Sequence, residues 1–374
     1  MERSAPQVLI QAFETWQNTQ RQALEMMLTA DQPGTPTDWA EGVRWLTRMS
    51  TLALEYVVEK GDPRFPVLFR SQNPWMKLIG DNPDVNYYFA SLDPAYDYRL
   101  FGNKGEAPYI GLTFGTDIFR GTAKGSTGTL GQFYLDQFEA DDAGNFEIIL
   151  SATAKEGNWI KLEPGTAHVA VRETFPDRSQ ARPADLSIER ITDEKPEPLS
   201  PEAMAERLEA AATYLLWIAR ACLGIWAASG ARINSIEGAH GSAVVKAQKA
   251  EVTTHSDTDM VYLSGRWQLE PGQALVVNIQ PPPYEFVYWG FVILNPWLES
   301  YDYHHTQTYV SNATGVKDAD GSWTIVIAPE DPGVPNWLDT GGRLEGYAIL
   351  RWVLAGNDPP TPSCKRVPID SLKG

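Results

Sequence analysis

The 374-residue chain holds only two cysteines, Cys222 and Cys364, and five histidines. Two thiols so far apart in sequence build neither a disulfide framework nor a zinc knuckle. Clusters of lysine or arginine are missing too, and 48 acids against 31 bases leave a formal net charge of −17. Nucleic-acid binding draws on clustered cations to neutralise phosphates, so it is not expected, and an anionic membrane surface is disfavoured on the same ground. No Gly-x-Ser-x-Gly elbow occurs; Gly125-Ser126-Thr127-Gly128 has a different spacing and reads as a turn. Rossmann and phosphate-loop glycine patterns are absent as well. Residues 1–6 lack the apolar segment of a secretory signal, which makes a cytoplasmic protein the expectation. The apolar stretch 214–231 approaches membrane-spanning length. Arg220 near its middle would cost about 2.5–3.5 kcal/mol there, so a buried helix is the better reading.

What the chain has in quantity is aromatic: 13 Trp, 15 Tyr and 13 Phe. Such rings fit the pleated surface of a β-rich core, or line a pocket in which a ligand stacks. At this length two packed units are expected. Residues 1–72 read as a helical segment. Leu9, Phe13, Trp16, Leu24 and Met27 recur at helical spacing, and a second helix is predicted from a capping box at Asp38 and Glu41 up to Gly61. Residues 73–193 change to short strands, predicted at 86–92, 96–101, 109–114, 146–152 and 167–175, with Asp141–Asn145 as a turn. A proline-rich acidic linker and one long helix follow within 194–252. Ser200 is that helix's N-cap, Pro201 its first residue and Gly230 its stop. Strands resume in 253–374, at 274–280, 285–294, 323–328 and 347–354. No internal repeat is visible in the sequence. The fold class is therefore mainly β with flanking helices, made of antiparallel β-sandwich regions joined by a long buried helix.

Part of the second β region resembles a known family. Asp331-Pro332-Gly333, Pro335-Asn336-Trp337, Asp339-Thr340 and Gly342 form a signature similar to that of a bacterial family known as domain of unknown function 1214. Asn295-Pro296-Trp297 before Ser300, and Gly346 with Arg351-Trp352, fit the same pattern. So do Asn82-Pro83-Asp84, Arg99-Leu100, Gly102-Asn103 and Val171-Arg172 upstream. The resemblance implies jelly-roll-type sandwiches and no particular activity.

Candidate chemistry centres on four acids. Glu299, Asp302, Asp331 and Asp339 offer carboxylate pairs for acid–base work of the hydrolase or lyase kind on a small polar or glycoside-like substrate. Trp297 and Trp337 would wall such a site, joined by Asn336, Tyr288, His304 and His305 as substrate contacts, with Arg172 anchoring a substrate anion. The segments 288–305 and 331–342 are expected to meet at one cleft. Asp331 and Asp339 can equally be turn acceptors. A metal held by His304 or His305 with neighbouring acids is disfavoured, since adjacent strand residues face opposite ways and no His-x-His occurs; no cofactor is expected. The other readings are a non-catalytic protein that binds an apolar or steroid-like ligand, and a partner protein docking through its helices. A small-molecule ligand is the expected partner, and a homo-oligomer is compatible with the sequence.

Overall fold

The computed structural model describes residues 6–117, 128–179, 181–239, 260–353 and 359–373. Residues 125–127 of the predicted turn, two of the five histidines (His240 and His255) and residue 354 of the last predicted strand lie outside them.

Three long helices form one layer. α1 (Gln7–Thr29) lies along α3 (Pro201–Ser229), and α2 (Pro36–Ala53) runs on into a π-helical turn, Leu54–Glu59. The start of α2 corrects the sequence reading. Its N-cap is Thr35, and Asp38 is the third helical residue, its carboxylate accepting from the Thr35 backbone N–H at 3.1 Å. Pro36 causes this, because its fixed φ suits the first helical position and its missing N–H costs nothing there. α3 begins as its residues dictate: the Ser200 hydroxyl accepts from Ala203 N–H at 3.1 Å ahead of Pro201. Among the described residues it is the one helix long and apolar enough to cross a membrane by length and composition. It buries Leu208, Leu215, Ile218, Cys222 and Trp226 along one broad side, while Arg220 stays exposed.

The strands form two sandwiches. In the first, β1 (Phe69–Gln72), β2 (Val85–Ser91), β4 (Tyr109–Gly115), β5 (Thr129–Tyr134) and β8 (His168–Thr174) make a sheet of order β1-β2-β8-β4-β5. It packs on β7-β6-β3-β9, made of β3 (Tyr98–Asn103), β6 (Asn145–Ser151), β7 (Trp159–Lys161) and β9 (Asp185–Arg190). In the second, β10 (Glu237–Ala239), β11 (Met260–Gln268), β13 (Tyr288–Leu294), β14 (Tyr309–Ser311) and β17 (Glu345–Val353) give β10-β11-β17-β13-β14. The facing sheet is β16-β15-β12-β18, from β12 (Gln273–Ile279), β15 (Trp323–Ala328), β16 (Trp337–Asp339) and β18 (Ser363–Pro368). The described ladders are antiparallel apart from the short pairs β6–β7 and β15–β16. Much of the tryptophan surplus is core: Trp45, Trp226, Trp267, Trp289, Trp297, Trp323 and Trp352 are fully buried.

The two strand orders are the same order. Adding nine to each strand number of the first sandwich reproduces the second, including the parallel pair at the sheet edge. The chain is thus a duplicated sandwich, although its sequence shows no repeat. Traces survive where geometry is demanding. Asp141 to Gly144 before β6 and Asp318 to Gly321 before β15 form the same turn: each glycine N–H donates to the aspartate carbonyl, and each glycine has φ above +80°. Left-handed backbone of that kind favours glycine.

Candidate functional site

The inner sheet of each sandwich turns one face to its own core and the other toward the helices and the second sandwich. Strand alternation decides which residues go where. On β17, Ala348, Leu350 and Trp352 enter the sandwich core, while Tyr347, Ile349 and Arg351 face outward. On β8, Val169 and Val171 belong to the core and His168, Ala170 and Arg172 line the far side. Between these outer faces, beneath α3 and the π-helical turn, lies a cavity of about 220 Å³. Its helical wall comes from Tyr56, Tyr214, Trp217 and Ile225.

Each repeat contributes an arginine from the equivalent place. Arg172 pairs across its ladders with Tyr87 on β2 and Gly111 on β4. Arg351 pairs with Tyr262 on β11 and Gly290 on β13. Both tyrosines line the cavity with both arginines. Burial pushes the Tyr87 hydroxyl up to about 12, although Arg351 and Arg172 both pull it down. That hydroxyl is therefore a neutral donor within reach of both positive charges.

Arg351 is 2% exposed. Its Nη2 donates to the carbonyls of Gly80 and Asp81, and its guanidinium lies over the Tyr262 ring at 5.6 Å. Its Nη1 has no hydrogen-bond partner, and among the described residues no carboxylate forms an ion pair with it. Arg351 also acts on the buried carboxyl of Asp84, whose pKa it lowers against the effect of burial.

The loop that meets Arg351 is strained. Ile79 has φ 34° and Gly80 φ 73°, and Gly80 N–H donates to the carbonyl of Leu298, itself at φ 58°. All three line the cavity. A β-branched residue in the left-handed region is an outlier, and such strain collects where a ligand or switch needs it. A Cβ on Gly80 would sit 2.5 Å from Ile349 Cδ1 and 3.3 Å from Arg351 Nη2, so glycine leaves the guanidinium its room.

Of the residues expected from sequence to form a site, Arg172 is in this wall and the others are elsewhere. Glu299 is 1% exposed and paired with Arg48 at 2.8 Å, its second oxygen unpartnered; burial raises its pKa and Arg48 opposes the rise. Asp302 is in solvent, where its carboxylate binds His305 Nδ1 at 2.8 Å and caps His304 N–H at 3.0 Å. Asp331 accepts from Gly333 N–H and Asp339 from Gly341 N–H, both at 2.7 Å, so each holds a turn. Asn336, at φ 54°, ties its loop to Val316 and Thr324. Trp337 donates to the Ala328 carbonyl at 3.0 Å. Trp297 is buried against Trp45, ring centroids 5.9 Å apart, and donates to the Asp38 carbonyl at 2.8 Å, clamping α2 to the second sandwich. Tyr288 is buried and donates to Asp84 at 3.0 Å. His304 and His305 are exposed. Arg343, just beyond 331–342, lies with its guanidinium 4.6 Å over the Tyr301 ring, and the four acids are engaged separately. Among the described residues no three His, Cys, Asp or Glu side chains are placed to hold a metal ion.

Sequence reasoning missed Arg351, Tyr87, Tyr262 and Leu298. Arg351 had a signal: it is the one cation in a nine-residue strand, EGYAILRWV, that is otherwise mostly apolar.

Residues 249–355 match a family described as Protein of unknown function (DUF1214). A crystal structure of an uncharacterised protein from Burkholderia cenocepacia is 31% identical, covering 98% of this chain and 99% of that one with a TM-score of 0.90. The chain belongs to the DUF1214 family. Its family match takes in β11 to β17, and with them Tyr262, Leu298 and Arg351 of the cavity wall. The VPA0106 protein from Vibrio parahaemolyticus is similar at 13% identity over 86% of this chain and 96% of that one, with a TM-score of 0.49. No curated protein matches this DUF1214 member.

Proposed function

We propose that the chain is a non-catalytic binding protein whose ligand is a small, largely apolar molecule lodged between the two sandwiches. The observation that carries this reading is the cavity itself, walled by aromatic and aliphatic side chains from both repeats and from α3. Well-formed apolar pockets with a few convergent polar groups are the usual places for small ligands. At about 220 Å³ it exceeds the ~150 Å³ that accommodates a benzene molecule and falls short of the ~300 Å³ where drug-sized sites begin. A ligand built around one ring, or a short aliphatic chain, fits that space. The acid–base chemistry expected of the four sequence-picked acids would need two of them in one concavity. Here Glu299 is committed to Arg48, Asp302 faces water, and Asp331 and Asp339 serve turns.

Thermal denaturation with single-ring probes, benzyl alcohol and benzoate among them, tests the reading. At ten times its Kd a ligand of the native state adds about 1.4 kcal/mol, a readable rise in Tm. Ala170→Leu, which extends a side chain into the cavity from β8, should abolish the rise while the variant still melts cooperatively. No shift with any single-ring compound at millimolar concentration would sink the proposal.

A further inference from the structure

We infer that the ligand is a carboxylate, seated with its charged end on Arg351; the inference rests on the binding reading above and names the ligand's class. The cavity wall carries two arginines, Arg351 and Arg172, from matching places of the two repeats. Arg351 is almost wholly buried, and its Nη2 is occupied by two carbonyls. A carbonyl oxygen satisfies a hydrogen but not a charge. A carboxylate oxygen accepting from a guanidinium of this pair would satisfy both, as a charge-assisted hydrogen bond of the stronger kind.

The rest of the wall narrows the class. Arg172 stands at the matching place of the other repeat, and the neutral Tyr87 hydroxyl lies under the influence of both cations, so donors surround one end of the space. Phe89, Ile225 and Leu298 also line the space and offer a carboxylate's hydrocarbon body van der Waals contact. A carboxylate brings one negative charge to this pair of guanidiniums on a hydrocarbon body. A phosphate dianion is the costlier of the two to take out of water into a mostly apolar wall. The strained Ile79–Gly80 pair turns the Gly80 carbonyl onto Nη2, which fixes the guanidinium in the cavity wall.

Calorimetric titration of the full chain in chloride-free buffer with benzoate, benzamide, benzyl alcohol and inorganic phosphate tests the inference. Benzoate should bind at least about tenfold tighter than either neutral ring, the size expected of one charge-assisted hydrogen bond. Arg351→Met should bring the ratio of benzoate to benzyl alcohol affinity down toward one. Arg351→Lys, which keeps the charge but shortens the reach, should retain part of it, and Arg172→Met should weaken benzoate more than benzyl alcohol. Should Arg351→Met not fold, the lysine variant and Arg172→Met decide. Equal affinity for benzoate and the neutral rings overturns the carboxylate assignment while leaving the binding reading in place. So does phosphate binding as tightly as benzoate, or a benzoate preference that survives both Arg351→Lys and Arg172→Met undiminished. Failure of every ring compound overturns both.

Discussion

Arg172 and Arg351 occupy the same position of two strands that the chain builds twice, yet their surroundings differ. Arg172 donates to the Thr113 hydroxyl at 3.3 Å within its own sheet. Arg351 reaches out of its sheet to the carbonyls of Gly80 and Asp81, in the loop before β2 of the other sandwich. The second arginine therefore joins the two repeats as well as lining the space between them. A duplicated scaffold supplied two equivalent cations, and a single strained loop made them unequal.

That junction is also held from the helical side, and one glycine there has no freedom to change. A Cβ on Gly42 of α2 would lie 2.5 Å from Trp297 Cζ2 and 2.7 Å from its Cε2. Trp297 is fully buried against Trp45 and cannot retreat. Gly42→Ala should destabilise the protein by about 1–3 kcal/mol, the usual cost of overpacking, despite alanine's better helix propensity. Urea denaturation measures it; an unchanged or raised midpoint would mean the tryptophan moves aside.

Two neighbouring acids should respond unequally to the same kind of substitution. Glu299→Gln leaves Arg48 without its counter-charge at a site nearly closed to water, and should cost roughly 1–3 kcal/mol. Asp302→Asn acts on an exposed side chain and should fall within about 0.5 kcal/mol of the parent. Equilibrium unfolding of both variants checks this, and similar losses in the two would contradict the burial of Glu299 or the exposure of Asp302.

The buried carboxyl of Asp84 ties stability to pH. Burial raises its pKa from 3.8 to about 7, against the lowering effect of the Tyr288 hydroxyl bonded to it. The folded protein thus keeps a proton that the unfolded chain releases at lower pH. The stability from this group is full below about pH 3.8 and is lost as pH rises to about 7. The raised pKa of Glu299 works in the same direction. Asp84→Asn imitates the protonated form, so the stability of the variant relative to the parent should climb across that window and level off above it. Melting temperatures of both proteins from pH 4 to 8 give the comparison, and a difference independent of pH would show Asp84 ionising normally.

Local signals carried much of the architecture. Ser200-Pro201 and Gly230 bounded α3 because capping and proline's fixed φ act within a few residues, and the strand at Trp323–Ala328 was legible from its β-branched run. Edge strands such as β1, β7 and β16 were not, since three or four residues with little alternation carry no period to read. Asp331 and Asp339 could be taken for turn acceptors from their place before glycines, which is a local matter as well.

The site is a different case. Glu299 and Asp302 stand three residues apart in one aromatic, acidic segment, and nothing local says that one is buried on Arg48, 251 positions away, while the other faces water. The repeat escaped notice because what it conserves is strand order and a cross-strand set of tyrosine, arginine and glycine, whose members come from three strands far apart in the chain. Propensity, capping and turn chemistry depend on neighbours along the chain, so the sequence by itself determined the helices, many of the strands, though not the nine-residue β11, and the β-sandwich class. The cavity and its two arginines depend on which sheet faces meet once two sandwiches and a helix pack together, and that was decided by the tertiary structure alone.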